Sequence, residues 1–382
     1  MRRTLLALTA SIPLTVALAL PASAAGGEYV QITQATGEKV AGQYIVTLKD
    51  DAGVSTTAAG IDATPLHTYR SALNGFAAKL SATQLQDLQR NPQVAAIEED
   101  GVVHADTTQT DETWGLDRID QRTLPGSNSY NYNHQGTGVK AYVIDTGIQA
   151  DAPTFGTRAQ NVFDAFGGNG RDCDGHGTHV AGTIGGERWG VAKLAQLRGV
   201  RVLDCAGSGT WSGVIAGVDW VTNNHVKPAV ANMSLGGGVS AAVDNAVAAM
   251  TYAGVFTAVS AGNSSADACA QSPARVPNVT TVAASDRTDT RASFSNQGLC
   301  VDVYAPGVDV RSSYLNGTTA YLSGTSMASP HVAGAAAVYR QVNPDSTSGS
   351  VNQWIINAST KDVIIGNPAD TPNRLLFKGP TL

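Results

Sequence analysis

The chain contains, near its C-terminal end, the run Ser323-Gly324-Thr325-Ser326-Met327-Ala328-Ser329-Pro330-His331-Val332-Ala333-Gly334. The run begins with small residues, and apolar residues follow it as far as Val338. We therefore predict a helix that begins close to Ser326. The first N–H groups of a helix lack intrahelical partners and the helix dipole is positive there. That environment suits a nucleophile beside which an oxyanion forms. Taken alone, the run is equally compatible with an ordinary helix start capped by a serine.

Two upstream segments supply the partners that such a serine needs. Ala141-Tyr142-Val143-Ile144-Asp145 predicts a buried strand that ends in a carboxylate, and Asp172-Cys173-Asp174-Gly175-His176-Gly177-Thr178-His179 predicts a loop that leads into a helix near His176. In open α/β sheets, sites form beyond the carboxyl ends of the strands. An aspartate, a histidine and a serine in these positions are the parts of an activated nucleophile. Asp145 would orient His176, and His176 would act as general base for Ser326.

On these three motifs, in the order Asp145, His176, Ser326, the chain resembles the subtilisin-like serine proteases, which share that order. The resemblance is closer to the branch of proteinase K and the aqualysin-like enzymes. It implies a subtilisin-like three-layer α/β fold and a serine endopeptidase that hydrolyses peptide bonds in proteins through an acyl-enzyme on Ser326. From Val139 onward, apolar strands alternate with Ala-rich helical segments, and this pattern predicts a mainly parallel sheet flanked by helices.

The resemblance also implies roles for residues around these three. Asn263 would donate to the oxyanion together with the backbone N–H of Ser326. Gly-rich segments with open backbone groups would bind an extended peptide as an added strand. The predicted substrate-binding residues are Gly207, Ser208, Gly209, Trp211, Ser234, Leu235, Gly236, Ala261 and Gly262. Ordinary turn and loop chemistry is the alternative for all of them. His179 and His331, in the same motifs, are interpreted as packed structural histidines.

The N-terminus predicts export. Arg2 and Arg3 precede a mostly apolar run and then Ala22-Ser23-Ala24, a pattern typical of a secretory signal peptide over residues 1–24. A membrane anchor is the alternative, but the apolar run is short for a transmembrane helix. We therefore expect a secreted, extracellular protein.

Residues 25–106 resemble the inhibitory prodomain of the same family, a small α+β unit. The pattern predicts strands over 43–49 and 94–100, a turn at Asn74-Gly75, and a helix from Ser81 to Arg90. Residues 104–110 are polar and predict an exposed linker. By this resemblance the peptidase domain is 107–382, made as a self-processing preproenzyme whose own prodomain acts as chaperone and inhibitor. An accessory domain that stays in the mature protein is the alternative.

The four cysteines allow three pairings, between which the sequence does not choose. The resemblance implies disulfides Cys173–Cys205 and Cys269–Cys300, which an exported chain can form. A zinc site of Cys173, His176 and His179 is the alternative, but it has no obvious fourth ligand nearby.

Structural Ca²⁺ is also implied by the resemblance. One site would use Asp302 with the carbonyls of Pro277 and Val279. A second would use Asp117, Asp120, Gln121, Ser127 and Ser129. Oxygen ligands of this kind suit Ca²⁺, although the same residue types also favour turns.

Composition limits the partners. The 382 residues suffice for one large core and a small second domain, and the net charge of −6 gives no basic footprint for nucleic acid or an anionic membrane. We expect protein and peptide substrates and a monomer. A lipase or esterase would need a G-x-S-x-G elbow and another residue order, and a metalloprotease would want H-E-x-x-H. A catalytically inactive pseudoprotease that only binds peptides remains the non-enzyme alternative.

Overall fold

The computed structural model describes residues 29–35, 39–70, 73–101, 107–110 and 112–379. The predicted signal peptide, residues 1–24, lies outside these ranges. The chain divides into two compact units, one up to Val102 and the other from Val103 onward. None of the helices in the described ranges combines the length and apolarity that a membrane crossing needs.

The N-terminal unit is a five-stranded sheet with two helices. Its strand order is β1-β5-β2-β4-β3. The predicted helix begins after Ser81, whose hydroxyl accepts from the Gln84 N–H while the Gln84 side chain accepts from the Ser81 N–H, so the two residues form a capping box. The elements are β1 (Ile32–Thr33), β2 (Lys39–Leu48), α1 (Val54–Gly60), β3 (His67–Tyr69), β4 (Gly75–Lys79), α2 (Ala82–Arg90) and β5 (Val94–Gly101). The α+β prediction for this segment is confirmed.

The second unit is built on a large sheet. Among the described residues the sheet has nine strands in the order β19-β20-β16-β15-β13-β11-β8-β10-β9. All neighbouring pairs are parallel except β19–β20. The strands of this unit are β6 (Thr107–Thr110), β7 (Ser129–Tyr132), β8 (Lys140–Asp145), β9 (Ala159–Asp164), β10 (Gln196–Arg201), β11 (Ala229–Met233), β12 (Gly237–Gly238), β13 (Phe256–Ser260), β14 (Gln271–Ser272), β15 (Thr280–Ser285), β16 (Val303–Pro306), β17 (Val310–Ser313), β18 (Thr319–Leu322), β19 (Thr360–Lys361) and β20 (Arg374–Leu375).

Helices cover both faces of this sheet. They are α3 (Trp114–Ile119), α4 (His176–Gly185), α5 (Trp211–Asn224), α6 (Ala241–Tyr252), α7 (Thr325–Val342) and α8 (Ser348–Ala358). Side chains of β8 alternate between two cores, as the period of a strand requires. Ala141 and Val143 pack with α3, α4, α7 and α8, whereas Tyr142 and Ile144 pack with α5 and α6. The predicted three-layer α/β architecture is confirmed.

Residues 107–110 are a strand and not the predicted linker, although Thr108 and Thr110 are exposed as predicted. These residues form β6, which pairs antiparallel with β7 inside the second unit. The Gln109 side chain also donates to the Arg188 carbonyl at 3.3 Å. The polar run lacks apolar periodicity because its ladder is made by backbone groups, and threonine favours extended backbone without needing a buried face.

Candidate active site

Three element ends place the candidate catalytic side chains. Asp145 is the last residue of β8, His176 is the first residue of α4, and Ser326 is the second residue of α7. Helices α4 and α7 pack against each other on the same face of the sheet. The packing between the apolar faces of α4 and α7 therefore determines the relative position of His176 and Ser326.

Asp145 and His176 form the central polar pair. His176 Nδ1 lies 2.7 Å from Asp145 Oδ1, and the Asp145 side chain is fully buried. The Thr146 N–H also donates to Asp145 Oδ1 at 2.7 Å. Burial opposes a positive charge on His176, but the attraction and hydrogen bond of Asp145, with the charges of Asp174 and Asp172, raise its pKa above the usual value. The ring is therefore held in place and can accept a proton on its other nitrogen.

Asp172 holds the elements that carry Asp145 and His176 together, a role that the sequence did not indicate. Its buried carboxylate accepts from the Thr146 hydroxyl, which directly follows Asp145 along the chain, at 2.9 Å. It also accepts from the N–H and hydroxyl of Thr178, in the first turn of α4, at 2.9 and 2.6 Å. One side chain thus joins the strand end that carries the acid to the helix that carries the base. The burial of the Asp172 side chain reveals this role, and burial cannot be recognised from the sequence.

Ser326 exchanges hydrogen bonds with Ser234. Its hydroxyl lies 3.4 Å from the Ser234 carbonyl, and the Ser234 hydroxyl donates to the Ser326 carbonyl at 2.8 Å. Within the described part of the chain, no hydrogen bond joins Ser326 to His176. Such catalytic hydrogen bonds are often long without substrate and tighten when substrate binds.

The Asn263 amide has a defined orientation. Its Oδ1 accepts from both the N–H and the hydroxyl of Thr325, each at 2.8 Å. The Thr325 hydroxyl in turn accepts from the Gly262 N–H at 3.1 Å. Because Oδ1 is used in this way, Nδ2 is the end left to donate. A Cβ atom on Gly324 would lie 3.4 Å from that Nδ2, so the donor sits beside the start of α7.

A cleft of about 510 Å³ unites His176 with both predicted substrate segments. Gly207, Ser208, Gly209 and Trp211 lie in its wall together with Ser234, Leu235 and Gly236. The sequence reasoning missed the other lining residues, which are Asp174, Leu203, Val214, Gly237 and Gly238. Leu203 and Val214 resemble ordinary core residues in sequence, so only their position beside the cleft reveals them.

The structure does not bring Ala261 and Gly262 into this cleft. Ala261 is fully buried, and its carbonyl accepts from the Asn296 amide at 2.9 Å. The Gly262 carbonyl accepts from the Asn296 N–H at 2.9 Å. The backbone groups of this pair are used to support Asn263, which follows them, because β13 ends at Ser260 and the chain must turn there.

The two other motif histidines are buried side chains with backbone partners. Burial lowers the pKa of His179 and of His331 to about 4. His179 Nε2 contacts two carbonyls of the β17–β18 hairpin, and His331 Nδ1 contacts the Met327 carbonyl at 2.9 Å. Both are therefore neutral near pH 7, as expected of packed structural histidines.

The predicted disulfides are confirmed. Cys173 is bonded to Cys205 and Cys269 to Cys300. The alternative zinc site is wrong, because the Cys173 sulfur is consumed by its disulfide and His179 is directed at carbonyls. The Cys173–Cys205 disulfide joins the loop that precedes His176 to the segment that precedes cleft residues 207–209.

Asp302 is the carboxylate of the first predicted calcium site. Asp302 Oδ2 accepts from the Thr281 N–H at 2.8 Å, which places the carboxylate beside the segment that holds Pro277 and Val279. Burial raises the pKa of Asp302 to about 6, and the Thr281 N–H and the charge of Arg374 oppose that rise. A carboxylate beside backbone carbonyls is the kind of ligand set that Ca²⁺ takes.

The second predicted cluster fits less well. The Asp117 carboxylate already accepts from the Ser127 N–H and hydroxyl and from the Asn128 N–H. The Ser127 and Ser129 hydroxyls bond each other at 2.7 Å. Gln121 donates its amide to the Thr123 and Pro125 carbonyls. Within this cluster, Asp120 Oδ1 is buried and has no hydrogen-bond partner among the described residues. No three His, Cys, Asp or Glu side chains cluster as a metal site anywhere in the described ranges.

The three-layer fold, with a histidine held by a buried aspartate and a serine at a helix start, defines the class: a serine protease. Residues 136–375 match the model of the subtilase family, and residues 43–106 match that of the peptidase inhibitor I9 family. The chain belongs to the subtilase family and carries an inhibitor-type propeptide.

Named relatives agree with this assignment. The extracellular serine proteinase of Thermus sp. (strain Rt41A) is 48% identical over 369 residues, covering 89% of this chain and 90% of that protein. Proteinase T of Parengyodontium album is 48% identical over 74% of this chain and 98% of its own length. The crystal structure of a cold adapted subtilisin-like serine proteinase superposes with a TM-score of 0.69 at 50% identity, covering 70% of this chain and 99% of that one.

The predicted family, fold and serine protease function are confirmed by these similarities. The chain is a propeptide-regulated protease that acts on proteins. The relatives give no support to an inactive peptide-binding protein.

Proposed function

We propose that Ser326 is the nucleophile of this protease, His176 its general base and Asp145 the residue that orients His176. The observation that carries the proposal is the 2.7 Å contact between His176 Nδ1 and the fully buried Asp145. This contact keeps the proton on Nδ1 and leaves Nε2 to take the proton of the Ser326 hydroxyl. The positive ring that results is stabilised by the charge of Asp145.

The reaction would proceed in two halves. Ser326 Oγ attacks the peptide carbonyl as its proton passes to His176, and His176 then gives that proton to the leaving amine, which leaves an acyl-enzyme on Ser326. A water molecule that His176 deprotonates then attacks the acyl carbon, and His176 returns the proton to Ser326 Oγ as the ester bond breaks. In both halves the oxyanion would accept from Asn263 Nδ2 and from the Ser326 N–H, which lies in the first turn of α7 where N–H groups lack intrahelical partners.

The substrate would enter the cleft as an extended strand between two backbone segments. Residues 207–209 and 234–236 both line the cleft, and the serines and glycines among them leave backbone N–H and C=O groups accessible. Trp211 forms part of the same wall, with Leu203 and Val214 beside it, so this end of the cleft suits an apolar substrate side chain.

We also propose that the chain is exported, with a signal peptide over 1–24, a prodomain over 25–106 and a peptidase domain over 107–382. The inhibitor-family match ends at residue 106, and strand β6, from Thr107, pairs within the second unit. A relative that is named an extracellular serine proteinase supports secretion. Since one chain supplies the whole candidate site, we propose a monomer that removes its own prodomain.

Calcium binding is general in the subtilisin-like family. We propose that Asp302, with the carbonyls of Pro277 and Val279, holds one Ca²⁺ in this chain. A second ion near Asp117 and Asp120 would have to coordinate Asp120 Oδ1, since the Asp117 oxygens have hydrogen-bond partners. The proposed role is structural, and none of the steps above passes through the metal.

The test of the nucleophile is Ser326→Ala. Removal of the nucleophile in subtilisin itself costs about 10⁶ in turnover, and we expect a loss of that order here, with accumulation of the longer unprocessed chain on a gel. Ser323→Ala is the matched control, because its hydroxyl lies in the same run but accepts from the Asp309 N–H. A Ser326→Ala protein that kept about a tenth of wild-type turnover would refute the assignment.

A further inference from the structure

The β17–β18 hairpin packs on α4, which carries the candidate base, and is followed along the chain by α7, which carries the candidate nucleophile. Its strands pair from Val310 with Leu322 to Ser313 with Thr319. After Leu322 the chain passes through Ser323 and Gly324 directly into α7. The hairpin also packs on α4. Its contacts with α4 therefore influence how His176 and Ser326 face each other.

The body of the hairpin is attached to α4 through His179. His179 Nε2 lies 3.0 Å from the Val310 carbonyl and 3.2 Å from the Ala320 carbonyl, one on each strand. Since both partners are acceptors, Nε2 is the protonated nitrogen. The Ser312 hydroxyl donates a hydrogen bond to the His179 carbonyl at 2.8 Å. These contacts fix the hairpin to the first turns of the helix that His176 begins.

The far end of the hairpin reaches the residues just before His176. The Tyr314 hydroxyl donates to the Asp174 carbonyl at 2.9 Å. The Tyr314 ring lies directly on Gly175, since a Cβ atom there would fall 2.3 Å from a ring carbon. Gly175 has φ of +108° and is the N-cap of α4, so glycine is required both for the backbone conformation and for the ring contact.

We propose that Tyr314 is a positioning residue, which holds the Asp174–Gly175 backbone so that His176 lies at the correct distance from Ser326. The inference rests on the proposed function of these two residues. Proton transfer requires heavy atoms within hydrogen-bond distance, and a displacement of about 1 Å can cost about 10² in rate. Tyr314 is not among the described residues that line the cleft. Its loss should therefore affect turnover and leave substrate binding intact.

Two substitutions separate the two contacts. Tyr314→Phe keeps the ring on Gly175 and removes the hydroxyl, and Tyr314→Leu removes both. Tyr321→Phe is the matched control, because Tyr321 lies on the other strand of the hairpin and is 63% exposed. Full-length chains are expressed, the matured enzymes are counted by active-site titration, and kcat, KM and thermal unfolding are measured with a small peptide substrate.

We expect Tyr314→Phe to lower kcat about three- to tenfold and Tyr314→Leu about 10²-fold, with KM within about twofold of wild type. Tyr321→Phe should match wild type in both constants. If Tyr314→Leu does not mature, the rate at which Tyr314→Phe removes its prodomain should fall by the same factor as its kcat.

Unchanged kcat in both variants would overturn the inference. So would a rise in KM at constant kcat, which would make Tyr314 a residue of substrate binding, or a loss of activity fully explained by unfolded protein. An active Ser326→Ala chain would refute the proposed function itself. Fully active Tyr314 variants beside an inactive Ser326→Ala chain would refute only the role of Tyr314.

Discussion

Replacing Asn263 by alanine removes the proposed oxyanion donor, and the structure specifies which end of the amide matters. Oδ1 accepts two hydrogen bonds from Thr325 at 2.8 Å, which leaves Nδ2 as the donor beside Gly324. An oxyanion exists only in the transition state and the tetrahedral intermediate. The lost contact therefore belongs to the transition state and much less to the bound substrate.

The expected size has two parts. Removing the matching amide of subtilisin lowers kcat by about 10²–10³, or about 2.7–4 kcal/mol, and we expect the same here with little change in KM. The substitution also leaves the N–H and hydroxyl of Thr325 without their acceptor. Thr325 is fully buried, so the free energy of unfolding should fall by about 1–3 kcal/mol.

The assay measures kcat, KM and thermal unfolding for Asn263→Ala and for Thr325→Val. The control variant loses the hydroxyl that bonds Asn263 and that accepts from the Gly262 N–H. It should thus be destabilised to a similar extent while the Nδ2 donor remains, and its kcat should stay within about tenfold of wild type. A steep rise in KM for Asn263→Ala with kcat preserved would make Asn263 a binding residue. Equal losses of kcat in the two variants would show that the effect is structural.

Two further predictions concern charge. Because carboxylates raise the pKa of His176 above its usual value, and because the base must be neutral to act, kcat/KM should rise with pH through that elevated pKa. Asp174→Asn removes one of the attracting charges and should move this limb of the profile to lower pH, whereas an unmoved limb would contradict the assigned cause. Chelation of calcium should lower the melting temperature and speed thermal inactivation, because an ion bound only by the folded state adds about 2.7 kcal/mol at a hundredfold excess over its Kd. Asp302→Asn should remove part of the difference between calcium and chelator, and equal half-lives of the wild type in both would refute the calcium site.

The local elements and their order follow from the amino-acid sequence alone. A strand ending at Asp145, a helix beginning at His176 and another at Ser326 are encoded by apolar runs and by glycines next to helix starts. The helix after Ser81 was predictable for the same reason, since a capping box involves residues three apart. The pairing of the four cysteines came from the family resemblance, because spacing alone allows every combination.

The pairing of polar groups that are distant along the chain required the folded structure. The orientation of the Asn263 amide depends on Thr325, 62 residues away, and the contact of Tyr314 with the Asp174 carbonyl spans 140 residues. The same holds for residues 107–110, whose polar sequence shows no sign of the partner strand β7. Local propensity carries no information about such partners. They are selected when the apolar faces of α4 and α7 pack on the sheet and bring specific donors and acceptors within 3 Å of one another.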